Sequence, residues 1–191
     1  MKKLNLVTLI LFLMVIAASG ADLKKNYIGA NLGIFNPAGD ISEYDTGTNF
    51  GIYYQRKFSD FLGLRFEISG HNTEYNYSVY GYDAKDEINT TAFETSVILQ
   101  NTYQRFTPYV GLGFGSYVNE IKISLDGDEV YSDTGTALGV VIQAGLLFDI
   151  TNNFYIGGNF KIFTNNQEIE YTSETLQLGG YKTNIEAGFK F

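Results

Sequence analysis

From Tyr27 to Phe191 apolar residues recur at every second position, the signature of strands with unlike faces. The first such segment sets Ile28, Ala30, Leu32 and Ile34 against Tyr27, Gly29, Asn31 and Gly33. The second sets Phe50, Ile52 and Tyr54 against Gly51, Tyr53 and Gln55, and the third sets Leu62, Leu64, Phe66 and Ile68 against Gly63, Arg65, Glu67 and Ser69. In the fourth, Phe93, Thr95, Val97 and Leu99 oppose Glu94, Ser96, Ile98 and Gln100. The fifth places Val110, Leu112 and Phe114 against Gly111, Gly113 and Gly115, and the sixth runs from Leu138 to Asp149. Phe154, Ile156, Phe160 and Ile162 oppose Tyr155, Gly157, Asn159 and Lys161 in the seventh. The last puts Ile185, Ala187, Phe189 and Phe191 opposite Asn184, Glu186, Gly188 and Lys190. Eight strands are expected.

The connections add a second regularity. Short ones, Ser59-Asp60, 104–107 and 151–153, alternate with long ones at 36–47, 72–88, 119–134 and 164–175. Short turns at one end and long loops at the other predict an all-β chain, an eight-stranded antiparallel up-and-down transmembrane β-barrel. Each short turn is flanked by aromatics: Phe58 and Phe61, Tyr103 and Phe106, Phe148 and Phe154. Such rings favour the headgroup boundary, so they read as a periplasmic girdle. Closure leaves no unpaired edge in lipid, and an even strand number returns both ends to the periplasm. A soluble lipocalin-type barrel would alternate as well, with its faces inverted. The girdles, the terminal Phe191 and the scarcity of charge on the apolar faces favour the membrane.

The N-terminus agrees. Met1-Lys2-Lys3, an apolar run from Leu6 to Ala18 broken only by Thr8, and the small residues Ser19-Gly20-Ala21 form a secretory signal at 1–21, followed by a barrel domain at 22–191. The run is too short to cross a bilayer as a helix, which needs about 20 residues. Removing Lys2 and Lys3 takes the formal net charge from −8 to −10, so no basic nucleic-acid surface is available. Cysteine is absent from the 191 residues, which excludes disulfides, cysteine-ligated metals and thiol catalysis. The 21 glycines, 15 tyrosines and 15 phenylalanines with only 18% charged residues fit strands rather than helices.

Two stretches carry a family resemblance. Thr107-Pro108-Tyr109-Val110-Gly111-Leu112-Gly113-Phe114-Gly115 resembles a strand motif of small outer-membrane β-barrels of the OmpA-like and OmpX-like type. The ending Ile185-Glu186-Ala187-Gly188-Phe189-Lys190-Phe191 is similar to the C-terminal signal read by the outer-membrane assembly machinery, with Ile185, Ala187, Phe189 and Phe191 as its apolar positions. The resemblance implies an outer-membrane location in a Gram-negative-type envelope. Its implied partners are outer-membrane lipid, the β-barrel assembly machinery and periplasmic chaperones. It leaves activity open, because this scaffold hosts adhesion, defence, enzymes and minor transport. Arg56 departs from the pattern by falling on the lipid face, where it can snorkel to the periplasmic interface.

The inward face gathers Lys57, Arg65, Lys161, Lys182 and Lys190 with Glu67, Glu94, Asp149 and Glu186. Five positive and four negative groups in so narrow a barrel read as a paired internal network without conductance, since eight strands leave room only for side chains. A narrow pore for small solutes is the alternative. Gly111, Gly113 and Gly115 would make room for large neighbours such as Arg65. His71 is the only histidine. Glu67, Ser69 and His71 share its face, which offers an acid, a nucleophile and a base for a lipid-modifying barrel enzyme. Residues two apart on a strand are separated by about 6.6 Å, however, and these side chains point away from lipid. A structural role for His71 and no catalytic residues are therefore expected.

Tyr75, Tyr77, Tyr80 and Tyr82 alternate within the second long connection, so the third and fourth strands should project as a hairpin. Asp126-Gly127-Asp128-Glu129 superficially suggests a calcium loop but lacks its later ligands and flanking helices, and reads as a hairpin turn. No metal or cofactor is expected. The four long connections hold 15 of the 21 acids against Lys85 and Lys122 alone, a formal charge of −13. Asp126, Asp128, Glu129 and Asp133 form its densest part. The expected role is structural or surface-interacting, in adhesion or envelope defence, by a monomer whose acidic crown either shares diffuse Mg²⁺ or Ca²⁺ with lipid phosphates or engages a cationic surface partner.

Overall fold

The computed structural model describes residues 26–168 and 175–191, so the expected signal segment lies outside the described residues. Eight antiparallel strands close into one barrel: β1 (Asn26–Gly39), β2 (Gly47–Lys57), β3 (Leu62–Val79), β4 (Tyr82–Gln100), β5 (Phe106–Leu125), β6 (Asp128–Asp149), β7 (Phe154–Glu168) and β8 (Thr175–Lys190). Each strand pairs with its neighbour in sequence, and β1 pairs with β8 from Tyr27↔Lys190 to Gly39↔Leu178. The seam is completed by Asn26 N–H donating to Phe191 O at 3.0 Å and Phe191 N–H donating to Asn26 O at 2.9 Å.

The alternation sorts as its period requires. Phe50, Ile52, Phe93, Leu112, Phe114, Ile142, Ile185 and Phe189 are all exposed on the outer wall, whereas the residues between them are buried. An exposed apolar area of that extent is what lipid replaces for water. At the short-turn end Phe58, Phe61, Tyr103 and Phe106 stand exposed, with Phe106 against Phe148 at 5.0 Å and Phe154 against Phe189 at 5.3 Å.

At the opposite end two of the four long connections are hairpins, as the tyrosine alternation at 75–82 and the turn residues at 126–129 lead one to expect. Residues 72–88 and 119–134 continue as strand, with β3 and β4 paired up to Val79↔Tyr82 and β5 and β6 up to Leu125↔Asp128. Two-residue turns close both hairpins. Tyr80 and Gly81 have φ of 52° and 87°, Asp126 and Gly127 of 50° and 88°, the doubly left-handed geometry that suits the twist of a tight hairpin. The strands outlast the apolar belt because pairing depends on backbone bonds, which continue wherever β-forming residues follow one another. On the other side, residue 107 belongs to β5, which begins at Phe106, so that turn is shorter than expected.

Buried side chains line the lumen along its length among the described residues. Near the short turns, Tyr27, Tyr53, Tyr109 and Tyr155 pack with Ile98 and Leu147. Toward the hairpins, Phe35, Tyr117, Val141 and Phe163 pack with Ile41, Ile88, Ile121 and Leu178. Charged and amide side chains occupy the layer between.

Candidate functional site

Arg65, on the third strand, is 1% exposed and reaches across the lumen. Its guanidinium lies 4.1 Å from the Tyr53 ring centre and 4.6 Å from that of Tyr109. Nε donates to Gln55 Oε1 at 2.9 Å and Nη1 meets Glu186 Oε2 at 3.4 Å. Tyr109 donates to the other Glu186 oxygen at 2.7 Å. A planar cation between two aromatic faces and a carboxylate suits a water-poor site, where an unpaired charge would be very costly.

A second group centres on Lys161. Its Nζ lies 2.6 Å from Glu67 Oε1 and 2.8 Å from Glu94 Oε2, so β7 is tied to β3 and β4 across the barrel. Asn31 donates to Glu67 at 2.9 Å and Tyr117 to Glu94 at 3.2 Å. Lys182 donates to Ser69 Oγ at 3.3 Å and stands 4.8 Å from the Phe163 ring centre. Lys190 and Asp149 pair at the short-turn rim, at 2.5 Å. Lys57 is half-buried at the end of β2, opposite Gly63.

Gly111, Gly113 and Gly115 do not make room for Arg65. A Cβ there would meet Ile98 and Gln143, Ser96, and Glu94 respectively, whereas Arg65 rests on the tyrosines. The glycine that relieves Tyr109 is Gly145, whose Cβ would stand 2.5 Å from that ring.

Glu67, Ser69 and His71 share an inward face but not a chemistry. Glu67 is engaged by Lys161 and Asn31, and Ser69 by Lys182. The His71 ring lies 4.2 Å from Phe35 and 5.2 Å from Phe163, and its buried Nδ1 has no protein partner. A general base needs an orienting acceptor and a nucleophile within hydrogen-bond reach. Among the described residues, Nδ1 of His71 has no orienting acceptor, and Ser69 is engaged by Lys182.

The amide contribution was not singled out from the sequence. Asn49 donates to Asn31 and Asn184, Asn184 donates to Asn159, and Asn119 donates to Gln167, all inside the barrel. Gln55 donates to Gln100 at 2.9 Å. The available signal was parity: each occupies an inward position in its strand.

Outside the belt, nine acids fall on the two projecting hairpins, and Asp40, Glu43 and Asp45 lie between β1 and β2. Lys85 Nζ is held by Glu74 and Glu87, each at 2.7 Å, and Lys122 by Glu120 at 3.1 Å. Lys85 holds the exposed Glu74 carboxyl below the ordinary value by a hydrogen bond. Tyr44 and Tyr77 donate to opposite oxygens of Asp86, at 3.4 and 3.1 Å, and Tyr75 stacks on Tyr77 at 5.4 Å. Burial and Asp86 together push the Tyr44 hydroxyl up to about 12. Tyr80 and Tyr82 are exposed at the tip. Asp126 accepts from Asp83 N–H at 3.1 Å and donates its own N–H to Asp83 O at 2.8 Å, which links the two hairpin tips. No group of three or more potential metal ligands occurs among the described residues. Glu170 and Glu174 lie outside the described residues.

Three solved structures of similar architecture are outer-membrane or surface proteins of bacteria. Neisserial surface protein A superposes with a TM-score of 0.62 at 16% identity, covering 87% of this chain and 97% of that one. Ail, the attachment invasion locus protein of Yersinia pestis, solved with the heparin analogue sucrose octasulfate, gives 0.57 at 17%, covering 89% and 100%. OprG of Pseudomonas aeruginosa gives 0.61 at 13%, covering 90% and 98%. No curated protein sequence matches the chain. Residues 6–191 match the family described as outer membrane protein beta-barrel domain. The closed ring of eight strands, the apolar outer wall and that match agree: this chain belongs to the family of outer-membrane β-barrel domains.

Proposed function

We propose that this protein is a closed, non-conducting barrel that presents an acidic sheet at the cell surface to a basic partner. The observation that carries the reading is the continuous pairing of β3 to β6 beyond the belt, to turns at Tyr80-Gly81 and Asp126-Gly127. Seven residues of β3, from Thr73 to Val79, extend about 20 Å at the usual strand rise. A paired sheet loses little freedom on binding, so it contacts a partner at lower entropic cost than loops of equal length.

Charge sets the partner's sign. Ail was solved with a polyanionic ligand, but here both hairpin lysines are already clamped by carboxylates and a surplus of acid remains. A polyanion would be repelled, and a lysine- or arginine-rich surface attracted. The non-enzymatic reading is supported by the separate engagements of Glu67 and Ser69 and the aromatic enclosure of His71.

The test is binding of the vesicle-reconstituted barrel to an oligo-lysine peptide and to heparin across a salt series. Binding of the peptide alone is expected, weakening with salt and with the combined changes Asp126→Asn, Asp128→Asn, Glu129→Gln and Asp133→Asn. His71→Ala should leave it unchanged. Preferential heparin binding, or a lipid-modifying activity lost in His71→Ala, overturns the reading.

A further inference from the structure

A shallow recess lies on the outer wall at the upper boundary of the apolar belt. Its floor is Gly70, which pairs with Phe50 on one side and Thr91 on the other. Thr48, Asn72 and Asn89 rise above it, and Phe50 stands beside it, 57% exposed. The recess holds about 320 Å³, near the lower bound of small-ligand pockets.

Glycine is not required there by the backbone or by packing. A Cβ at Gly70 would lie 3.8 Å from its nearest neighbour, Thr90 O, and its φ is not left-handed. The inward glycines contrast sharply: a Cβ at Gly33, Gly113 or Gly139 would come within 2.0 to 2.2 Å of backbone carbonyl oxygens. What the absent side chain at Gly70 creates is space, in a row where Ile68 and Phe93 otherwise cover the wall. Gly158 is another outward glycine with room, yet its pairing partners are Leu146 and Ile185, and no polar ring lies above it.

The polar side of the recess is oriented. Asn72 Oδ1 accepts from both the backbone N–H and the hydroxyl of Thr48, at 3.2 and 2.8 Å. That fixes the amide plane and turns its NH₂ away from Thr48, leaving it to donate to an incoming acceptor. No acid lines the recess, and its one ionisable residue, His71, turns its ring inward against Phe35 and Phe163. The next outward pair above Asn72 and Asn89 is Glu74 and Glu87, two carboxylates sharing a single lysine, Lys85. A phosphate placed at the recess would face that surplus negative charge.

We propose that this recess seats an outer-leaflet glycolipid with an uncharged, hydroxyl-rich headgroup. Its sugar accepts from Asn72 and bonds with Asn89 and Thr91, and the start of its acyl chain lies over Gly70 against Phe50. The proposal needs only the outer-membrane placement and is independent of the basic-partner reading.

The test uses the full barrel in phosphatidylcholine nanodiscs doped with equal amounts of digalactosyldiacylglycerol and phosphatidylglycerol. Lipid retained after gentle release is measured by native mass spectrometry. Preferential retention of the glycolipid is expected. Gly70→Leu and Asn72→Leu should each lower it about tenfold, the scale of one lost contact set. Gly158→Leu should leave it unchanged. Backbone amides of 48–50 and 89–91 should exchange more slowly only when the glycolipid is present. Gel mobility shifted by heating confirms that each variant is folded. Equal retention of phosphatidylglycerol, or full retention by a folded Gly70→Leu barrel, overturns the proposal.

Discussion

Lys161 and Glu67 meet at 2.6 Å across the lumen, one from β7 and the other from β3, both almost fully buried. Removing one partner of a buried ion pair leaves the other uncompensated, which costs about 3–5 kcal/mol. Lys161→Met should therefore lower the urea midpoint of the folded barrel substantially, because Glu67 and Glu94 would both lose their cation. Adding Glu67→Gln and Glu94→Gln to that change should restore most of the loss, by removing the stranded charges. A Lys161→Met barrel as resistant as the parent would show that the pair is solvated.

The inward aromatic cluster makes a transport prediction. The rings of Tyr117 and Phe163 stack at 5.3 Å, and Phe35 lies 5.7 Å from Phe163. Purified barrel in planar bilayers should show no stable ohmic conductance. Phe35→Ala combined with Phe163→Ala should raise the frequency of brief openings while lowering thermal stability, each truncation costing about 3–5 kcal/mol if the core does not collapse. Steady channels from the unchanged monomer would contradict a filled interior.

Acid should loosen the β3–β4 hairpin before the barrel. The hydrogen bond from Lys85 keeps Glu74 below its ordinary value of 4.5. A depressed carboxyl contributes stability above its unfolded value, and the contribution is lost as pH falls through the lower, folded value. Amide exchange at residues 73–79 should thus accelerate below pH 4.5, and Lys85→Met should flatten that dependence. Acceleration that begins at neutral pH would point to another group.

The last strand carries an assembly prediction. Ile185, Phe189 and Phe191 lie exposed on the outer wall, and Phe191 also closes the seam with Asn26. Deleting Phe191 should reduce outer-membrane levels and cause periplasmic degradation, as read by fractionation and immunoblotting. Normal levels of the truncated chain would rule out an assembly signal at this end.

Parity along the strands made most of this architecture legible. Arg65, Glu67, Glu94 and Lys161 were separable from Phe66, Phe93 and Phe160 by position alone, because a strand allows only two directions. Who meets whom was not legible, since it depends on the barrel's stagger: nothing in the sequence says that Arg65 faces Glu186 while Lys161 takes both Glu67 and Glu94. The buried amides Asn49, Asn119 and Asn184 were missed for a related reason, as neutral side chains are equally at home in a loop or a lumen. Phe35 and Phe163 lie beyond the point where the outer face turns polar, so their inward direction shows only once the strands are seen to continue.

The polar interior also bears on how the barrel comes to be shut. Glu186 belongs to the final strand and its cation to the third, while Asn31 of the first strand serves Glu67. An open, curved sheet part-way into the bilayer would hold these groups toward hydrocarbon with their counterparts still absent. Such a half-formed sheet is penalised at every unmatched charge, and the penalty disappears in one step when the first and last strands zip together. Closure of the first strand on the last is therefore also what brings Glu186 to Arg65, so the seam and the buried ion pair form or fail together.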